Sequence, residues 1–256
     1  GGWENEAIIA LFGNFVNKVV EALMPYCNLW VTINEPNVFM YGAYIDGVFP
    51  PGKKDFSLAL QVMGHMIRAH AQAYAVIHVL QPEARVGTAI NYRGFKPATG
   101  LPTDRWAAKA YSTLFNDLFP RALKDGLFNA IFKRARIPEA IGTQDFLGLN
   151  YYTTDLVRFA PFAFQNMFAH RSFPAEAGLS DSGEIANLPG GMGACVRWGA
   201  RFGVPLFITE NGVDDAQDAL RPRYIVEHLH ALWRAMNNNL PVEGYFHWSL
   251  VDNFEW

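Results

Sequence analysis
The chain has 256 residues, 50% of them hydrophobic, with a formal charge of −3 and a mean hydropathy near zero. That length can bury a large core, in one domain of α/β-barrel size or in two smaller ones. The mild charge, with Lys and Arg scattered rather than in runs, argues against nucleic acid and against an anionic membrane surface; no apolar run reaches the roughly 18 residues of a membrane span.

Residues 4–24 place Ile8, Leu11, Phe12, Phe15, Val19 and Leu23 near helical spacing, and Pro25 stops the helix. LWVTIN (29–34) reads as a short buried strand, FSLALQVMGHMIRAHAQAYAVIHVL (56–80) as a long helix, and ARVGTAIN (84–91) as the next strand. A helix over 104–124 is followed by a strand in DFLGLNYY (145–152), a helix near 191–202 and a strand in PLFITE (205–210). Residues 221–239 form a further helix with Pro222 in its first turn, and EGYFHW opens a last strand. The segments 92–103 and 153–190 read as long loops rich in aromatics, Pro and Gly.

Near-continuous apolar strands alternating with helices predict a parallel sheet covered by helices. Every strand ends on a polar or aromatic group: Asn34–Glu35, Asn91, Asn150 with Tyr152, Glu210–Asn211, and Trp248. A doubly wound sheet gathers such groups at one switch point, whereas a TIM barrel gathers them all on one face. The expectation is therefore an α/β fold of TIM-barrel type, one domain over 1–256. About five of the eight strands a barrel needs are present. There is no GxGxxG after the first strand and no GxxxxGK[ST]; GGMG at 190–193 is too short for a phosphate loop.

Two of the strand ends are carboxylates, Glu35 in VTINEP and Glu210 in ITENG. A single Glu there is more often a helix N-cap partner or a surface ion pair. Two, each beside an Asn and each after a buried strand, weigh toward paired carboxyl chemistry. Glycosidic bond cleavage wants one protonated carboxyl to serve the leaving oxygen and one ionised carboxyl to attack or to activate water.

TINEP (32–36), NYYT (150–153), ITENG (208–212) and GYFHWSLVDNFEW (244–256) together resemble glycoside hydrolase family 1, the β-glucosidase family, in the family's order and over nearly the whole chain. The resemblance implies a (β/α)8 barrel of which this chain holds the fourth to eighth strands, so that it is incomplete at both ends. It implies a retaining mechanism on terminal β-D-glycosides of the glucosidase or galactosidase type. Glu35 would be the acid/base and Glu210 the nucleophile. Asn34 would hold the sugar 2-hydroxyl, Tyr152 and Asn150 would orient the nucleophile, Trp248 would stack under the sugar, and Glu255 and Trp256 would take outer hydroxyls. Retention sets the two carboxyls about 5–5.5 Å apart, where one charge keeps the other group protonated near neutral pH. An intact NFEW points to an unphosphorylated sugar, and Glu rather than Gln at 35 separates the chain from myrosinase-like members. No metal or organic cofactor is implied. The partner is a small-molecule β-glycoside or oligosaccharide, with neither nucleic acid nor membrane.

By the same resemblance the absent strands carry a Gln, a His and an Arg of the site, so the 256-residue chain alone is expected to be inactive or very weak. Exposed barrel edges would then invite oligomerisation. A reading from a different class is a catalytically inactive truncated barrel that binds sugar weakly or pairs with another chain. GGWENEAII lacks the basic start of a signal peptide. Cys27 and Cys195 read as buried free thiols, which fits a cytoplasmic protein. His65 and His70 are five apart, off the i,i+4 ligand pattern, and His228 and His230 face different sides of their helix, so packing or surface roles outweigh metal binding; His247 reads as a packed core residue. Phe159, Phe162, Phe164, Phe168 and Phe173 read either as packing or as an aglycone entrance.

Overall fold
The structure is a computed structural model that describes residues 2–130, 134–163 and 166–251. In chain order it runs α1 (Ile8–Leu23), β1 (Leu29–Asn34), α2 (Pro36–Tyr44), α3 (Phe56–Leu80), β2 (Arg85–Asn91), β3 (Gly94–Pro97), α4 (Pro102–Ser112) and α5 (Leu118–Asp125). Then come β4 (Leu127–Asn129), β5 (Arg134–Arg136), β6 (Phe146–Asn150), β7 (Thr154–Phe159), β8 (Ala169–Ser172), α6 (Gly190–Ala200), β9 (Leu206–Glu210), α7 (Arg221–Met236) and β10 (Val242–Tyr245). The described residues divide into two compact units: 1–90 with 117–148, and 91–116 with 149–256.

In the first unit β1 runs parallel to β2, and β6 follows β2 in the sheet. Gly87 allows close approach there, because a Cβ would run into the carbonyl of Phe146. α3 starts where the Asp55 carboxylate accepts the N–H of Leu58 at 3.0 Å, satisfying one of the helix's orphan donors. Its Ala73 and Ile77 bury with Val16 and Val20 of α1 and Val86 of β2, so the helix pair covers the strand. Fully burying each such Val or Ile is worth about 1.5–3 kcal/mol.

In the second unit the last residues of β6 lead the order β6-β9-β10, and β9 and β10 are parallel. A separate sheet, β3-β7-β8, occupies the segments expected to be loops. Its β3 and β7 pair in parallel and its β7 and β8 antiparallel. Asp155 of β7 is buried there beneath Arg93, whose Nε lies 2.9 Å from both carboxylate oxygens, with Arg171 at 3.4 Å. The pairing of β3 with a strand some 60 residues later leaves no local pattern.

The five expected parallel strands are all present, in the order β1-β2-β6-β9-β10. The helix expected over 104–124 is present, and a π-helical turn over Thr113–Asp117 widens it between α4 and α5. Pro120 is the cause: it has no N–H to give back and its ring crowds the carbonyl one turn earlier. A helix was missed, since α2 begins directly at Pro36.

Candidate active site
Glu35 is built by the end of β1. The ladder pairs Leu29 with Arg85 and Asn34 with Ala89, and the Glu35 N–H still reaches the Ala89 carbonyl at 2.8 Å. Its backbone then turns left-handed, with φ 49° and ψ 51°, and Pro36 opens α2. That conformation costs a non-glycine residue roughly 1–2 kcal/mol. Glu35 occupies the N-cap position of α2, yet its side chain makes no capping bond, and it is only 4% exposed. The bland reading of this glutamate as a cap therefore fails: a buried carboxylate sits on a strained backbone at a strand end, a pattern that gathers at functional sites. Asn34 beside it is exposed.

β1 is braced from behind. The hydroxyl of Thr32 lies 2.6 Å from Nδ1 of His70, and Nε2 of His70 lies 2.6 Å from the carbonyl of Thr143. A carbonyl only accepts, so the ring proton is on Nε2 and Nδ1 accepts from Thr32. Burial pushes His70 down to about 4, so it is a neutral fastener at neutral pH.

Glu210 closes β9. Its main-chain carbonyl accepts the N–H of Tyr151 at 3.0 Å, and the phenol of Tyr152 donates to its Oε2 at 2.6 Å. The Thr209 hydroxyl donates to Oδ1 of the fully buried Asn150 at 2.5 Å. The bond from a phenol to a carboxylate is charge-assisted and directional, so Tyr152 fixes how Glu210 presents its oxygens. Trp248 is half-buried, and its N–H donates to the Asn211 carbonyl at 3.0 Å. Gly212 makes that crossing fit, because a Cβ would collide with the Trp248 carbonyl. Glu35 lies in the first unit, and Glu210, Asn150, Tyr152 and Trp248 in the second. Glu255 and Trp256 lie outside the described residues, as does Phe164.

Asn211, read from the sequence only as the polar neighbour of Glu210 at a strand end, is wholly buried at the centre of a polar cluster. Its Nδ2 lies 2.6 Å from the Tyr151 carbonyl, 2.9 Å from Nδ1 of His228 and 3.1 Å from the Tyr224 hydroxyl; its Oδ1 accepts from Tyr245 at 3.0 Å. Tyr224 donates to the Tyr152 carbonyl at 2.7 Å. The one available signal was the placement of Tyr224 and His228 four apart on α7, which puts both on one face.

Among the described residues no group of three or more His, Cys, Asp or Glu could hold a metal ion. His65 and His70 pack, as expected, against Trp3 and Thr143 carbonyls. His228 is buried and His230 exposed, on opposite sides of α7. His247 is exposed, not packed in the core, because β10 ends at Tyr245. Of the two thiols only Cys195 is buried, and Cys27 is exposed. GGMG opens α6, where Gly191 lets the helix meet Tyr151. Phe159 packs on the Ala107–Tyr111 cluster, whereas Phe162 is exposed.

The profile described as glycosyl hydrolase family 1 matches residues 1–256. The chain belongs to this family. Its relatives include the β-galactosidase of Pyrococcus woesei, 29% identical over all of this chain and 56% of that protein. The 1,4-β-D-glucan glucohydrolase of Thermotoga neapolitana is 31% identical, again over all of this chain and 65% of the relative. Among solved structures, the β-glycosidase from Pyrococcus horikoshii superposes with a TM-score of 0.91 at 32% identity, covering 100% of this chain and 59% of that one. The family 1 β-glucosidase from Thermotoga maritima gives 0.92 at 28% identity, covering 62% of that chain. The chain thus spans between about half and two thirds of the length of such relatives. Its fold class is the family's (β/α)8 barrel, of which β1, β2, β6, β9 and β10 are five parallel strands. Glu35 and Glu210 are the family 1 chain's two strand-end glutamates, after β1 and at the end of β9.

Proposed function
We propose that the protein carrying this chain is a retaining β-glycosidase acting on terminal, unphosphorylated β-D-glycosides, with glucosides and galactosides as the first candidates. The observation that carries this reading is the buried, left-handed Glu35 after β1 together with Glu210 held by Tyr152 at the end of β9, in a chain matched throughout by the family. Relatives named β-galactosidase and glucan glucohydrolase support the sugar class. So does the β-glucosidase from Thermotoga maritima in complex with deoxynojirimycin.

In the first step Glu210 attacks the anomeric carbon as the bond to the leaving oxygen breaks, and Glu35 gives that oxygen its proton. The product is a glycosyl ester on Glu210. In the second step Glu35, now a carboxylate, takes a proton from water. The water oxygen bonds to the anomeric carbon and the ester bond returns its electron pair to Glu210. Two inversions give net retention. Asn34 serves the sugar 2-hydroxyl, Asn150 and Tyr152 keep the nucleophile in line, Trp248 forms a floor under the sugar, and Glu255 and Trp256 take the outer hydroxyls. The reaction draws on side chains alone, without metal or organic cofactor. No helix among the described residues is long and apolar enough to cross a membrane; a cytoplasmic setting and a single barrel domain to which 1–256 belong complete the proposal.

The test is proton NMR of the anomeric signals during hydrolysis of a nitrophenyl β-glucoside and β-galactoside. A β-hemiacetal formed first, mutarotating later, supports the reading. An α-hemiacetal formed first rejects it.

A further inference from the structure
The geometry points to Asn211, Tyr224 and Tyr245 as positioning residues for the Glu210 nucleophile, acting through Tyr152. This rests on the glycosidase reading of Glu210. The argument is one of proton counting. Tyr224 has a single phenolic proton and spends it on the Tyr152 carbonyl at 2.7 Å, so toward Asn211 it can only accept. Asn211 must therefore turn its amide nitrogen to Tyr224, which leaves its oxygen for the Tyr245 phenol. The same nitrogen reaches the Tyr151 carbonyl at 2.6 Å. Two consecutive carbonyls, of Tyr151 and Tyr152, are thereby gripped from one buried cluster. The Tyr151 N–H is gripped as well, by the Glu210 carbonyl.

These bonds hold the 151–152 backbone on both sides, and from it the Tyr152 phenol reaches Oε2 of Glu210 at 2.6 Å. Asn211, Tyr224 and His228 are fully buried, whereas Tyr152 and Glu210 are half-exposed. A dry, hydrogen-bonded frame behind an accessible carboxylate is what preorganisation requires. The frame is also uncharged at neutral pH: burial pushes Tyr224 well up and Tyr245 up to about 12, and burial pushes His228 down to about 3. It can aim the nucleophile without altering the charge beside it. Aspartate at 211 would fail, since it has no proton to give Tyr224 or the Tyr151 carbonyl.

The experiment uses Tyr224→Phe and Tyr245→Phe, each also combined with Tyr152→Phe, in the full-length protein. Tyr224→Phe is expected to lower kcat roughly 3- to 10-fold with KM within about twofold, the size of one or two lost neutral hydrogen bonds read as rate. In the Tyr152→Phe background the same change is expected to cost nothing further, because the residue through which it acts is gone. A full additional loss in that background overturns the proposal. Tyr245→Phe, which removes only one donor, reads the frame if Tyr224→Phe fails to fold. A turnover-free arm keeps the two readings apart. With Tyr labelled at 13Cζ, the Tyr152 signal, identified by its loss in Tyr152→Phe, is expected to move in Glu210→Gln and again in Tyr224→Phe or Tyr245→Phe. A signal that answers Glu210→Gln and neither of the others overturns the network whether or not the protein is active. A parent protein without turnover, with the signal moving as expected, rejects the glycosidase reading and leaves the network standing.

Discussion

Tyr152 hands its phenolic proton to Oε2 of Glu210 across 2.6 Å, joining a residue just past β6 to the last residue of β9. A hydrogen bond to an ionised group contributes about 1.5–3 kcal/mol, so Tyr152→Phe should lower kcat roughly 10- to 150-fold. Substrate binding rests on other groups, so KM should change little. Steady-state kinetics on a nitrophenyl glycoside check this; a large rise in KM at unchanged kcat would place Tyr152 in substrate binding instead.

The proposed mechanism gives the two glutamates different jobs, and azide tells them apart. In Glu35→Ala a glycosyl-enzyme still forms from a substrate with a good leaving group, and azide should attack it from the β face. In Glu210→Ala azide stands in for the missing nucleophile on the α face. The expected products are a β-glycosyl azide and an α-glycosyl azide, respectively. NMR of the isolated azides decides, and the reverse pattern would exchange the roles.

Glu35 holds a left-handed backbone and a buried carboxylate at once. Glu35→Gly should abolish turnover and yet raise unfolding free energy by about 1 kcal/mol, since glycine has no steric cost there. Urea unfolding of parent and variant checks it. A destabilised variant would mean that Glu35 contributes more to the fold than its backbone strain costs.

Burial holds His70 at about 4 and His228 at about 3, whereas an unfolded histidine titrates near 6.5. Between those values the unfolded chain binds more protons than the folded one, so stability falls as pH falls. The loss begins near pH 6.5 and is complete below the folded values. Each histidine can add up to about 1.4 kcal/mol per pH unit to that slope. His70→Asn should therefore give a shallower fall between pH 6.5 and 4.5 in urea titrations. An unchanged slope would show that His70 protonates in the folded protein as readily as in the unfolded.

Gly212 lies where the chain leaving β9 meets the chain leaving β10. Gly212→Ala should destabilise by roughly 1–3 kcal/mol, because the new methyl meets the Trp248 carbonyl rather than a flexible side-chain tip. Thermal unfolding measures it, and a neutral result would show that the Trp248 segment moves aside freely.

What could be read in advance follows from how local the causes are. LWVTIN and the helix over 56–80 carry their own period and their own stops, and both coincide in extent with β1 and α3, although β1 is not buried as expected: of its side chains only Ile33 is. Glu35 and Glu210 were visible because a strand end is a local event. α2 was missed although Pro36 marks a first helical turn, since the left-handed turn at Glu35 is invisible without coordinates. β3 was missed because it is short and finds its partner some 60 residues later, and β7 and β8, although they pair locally, lie in a segment whose Pro, Gly and aromatic content reads as loop. The cluster around Asn211 draws on β9, α7 and β10. Nothing in NG at 211–212 announces that the asparagine faces inward rather than making a turn.

The most direct measurement is the mass of the full-length protein after incubation with 2,4-dinitrophenyl 2-deoxy-2-fluoro-β-glucoside, followed by peptide mapping. The fluorine slows both steps and the good leaving group restores the rate of the first, so the ester accumulates. One 2-deoxy-2-fluoroglucosyl group on Glu210, absent in Glu210→Gln, is the predicted result. A label on another residue, or no label at all, would contradict the assignment of Glu210 as the nucleophile.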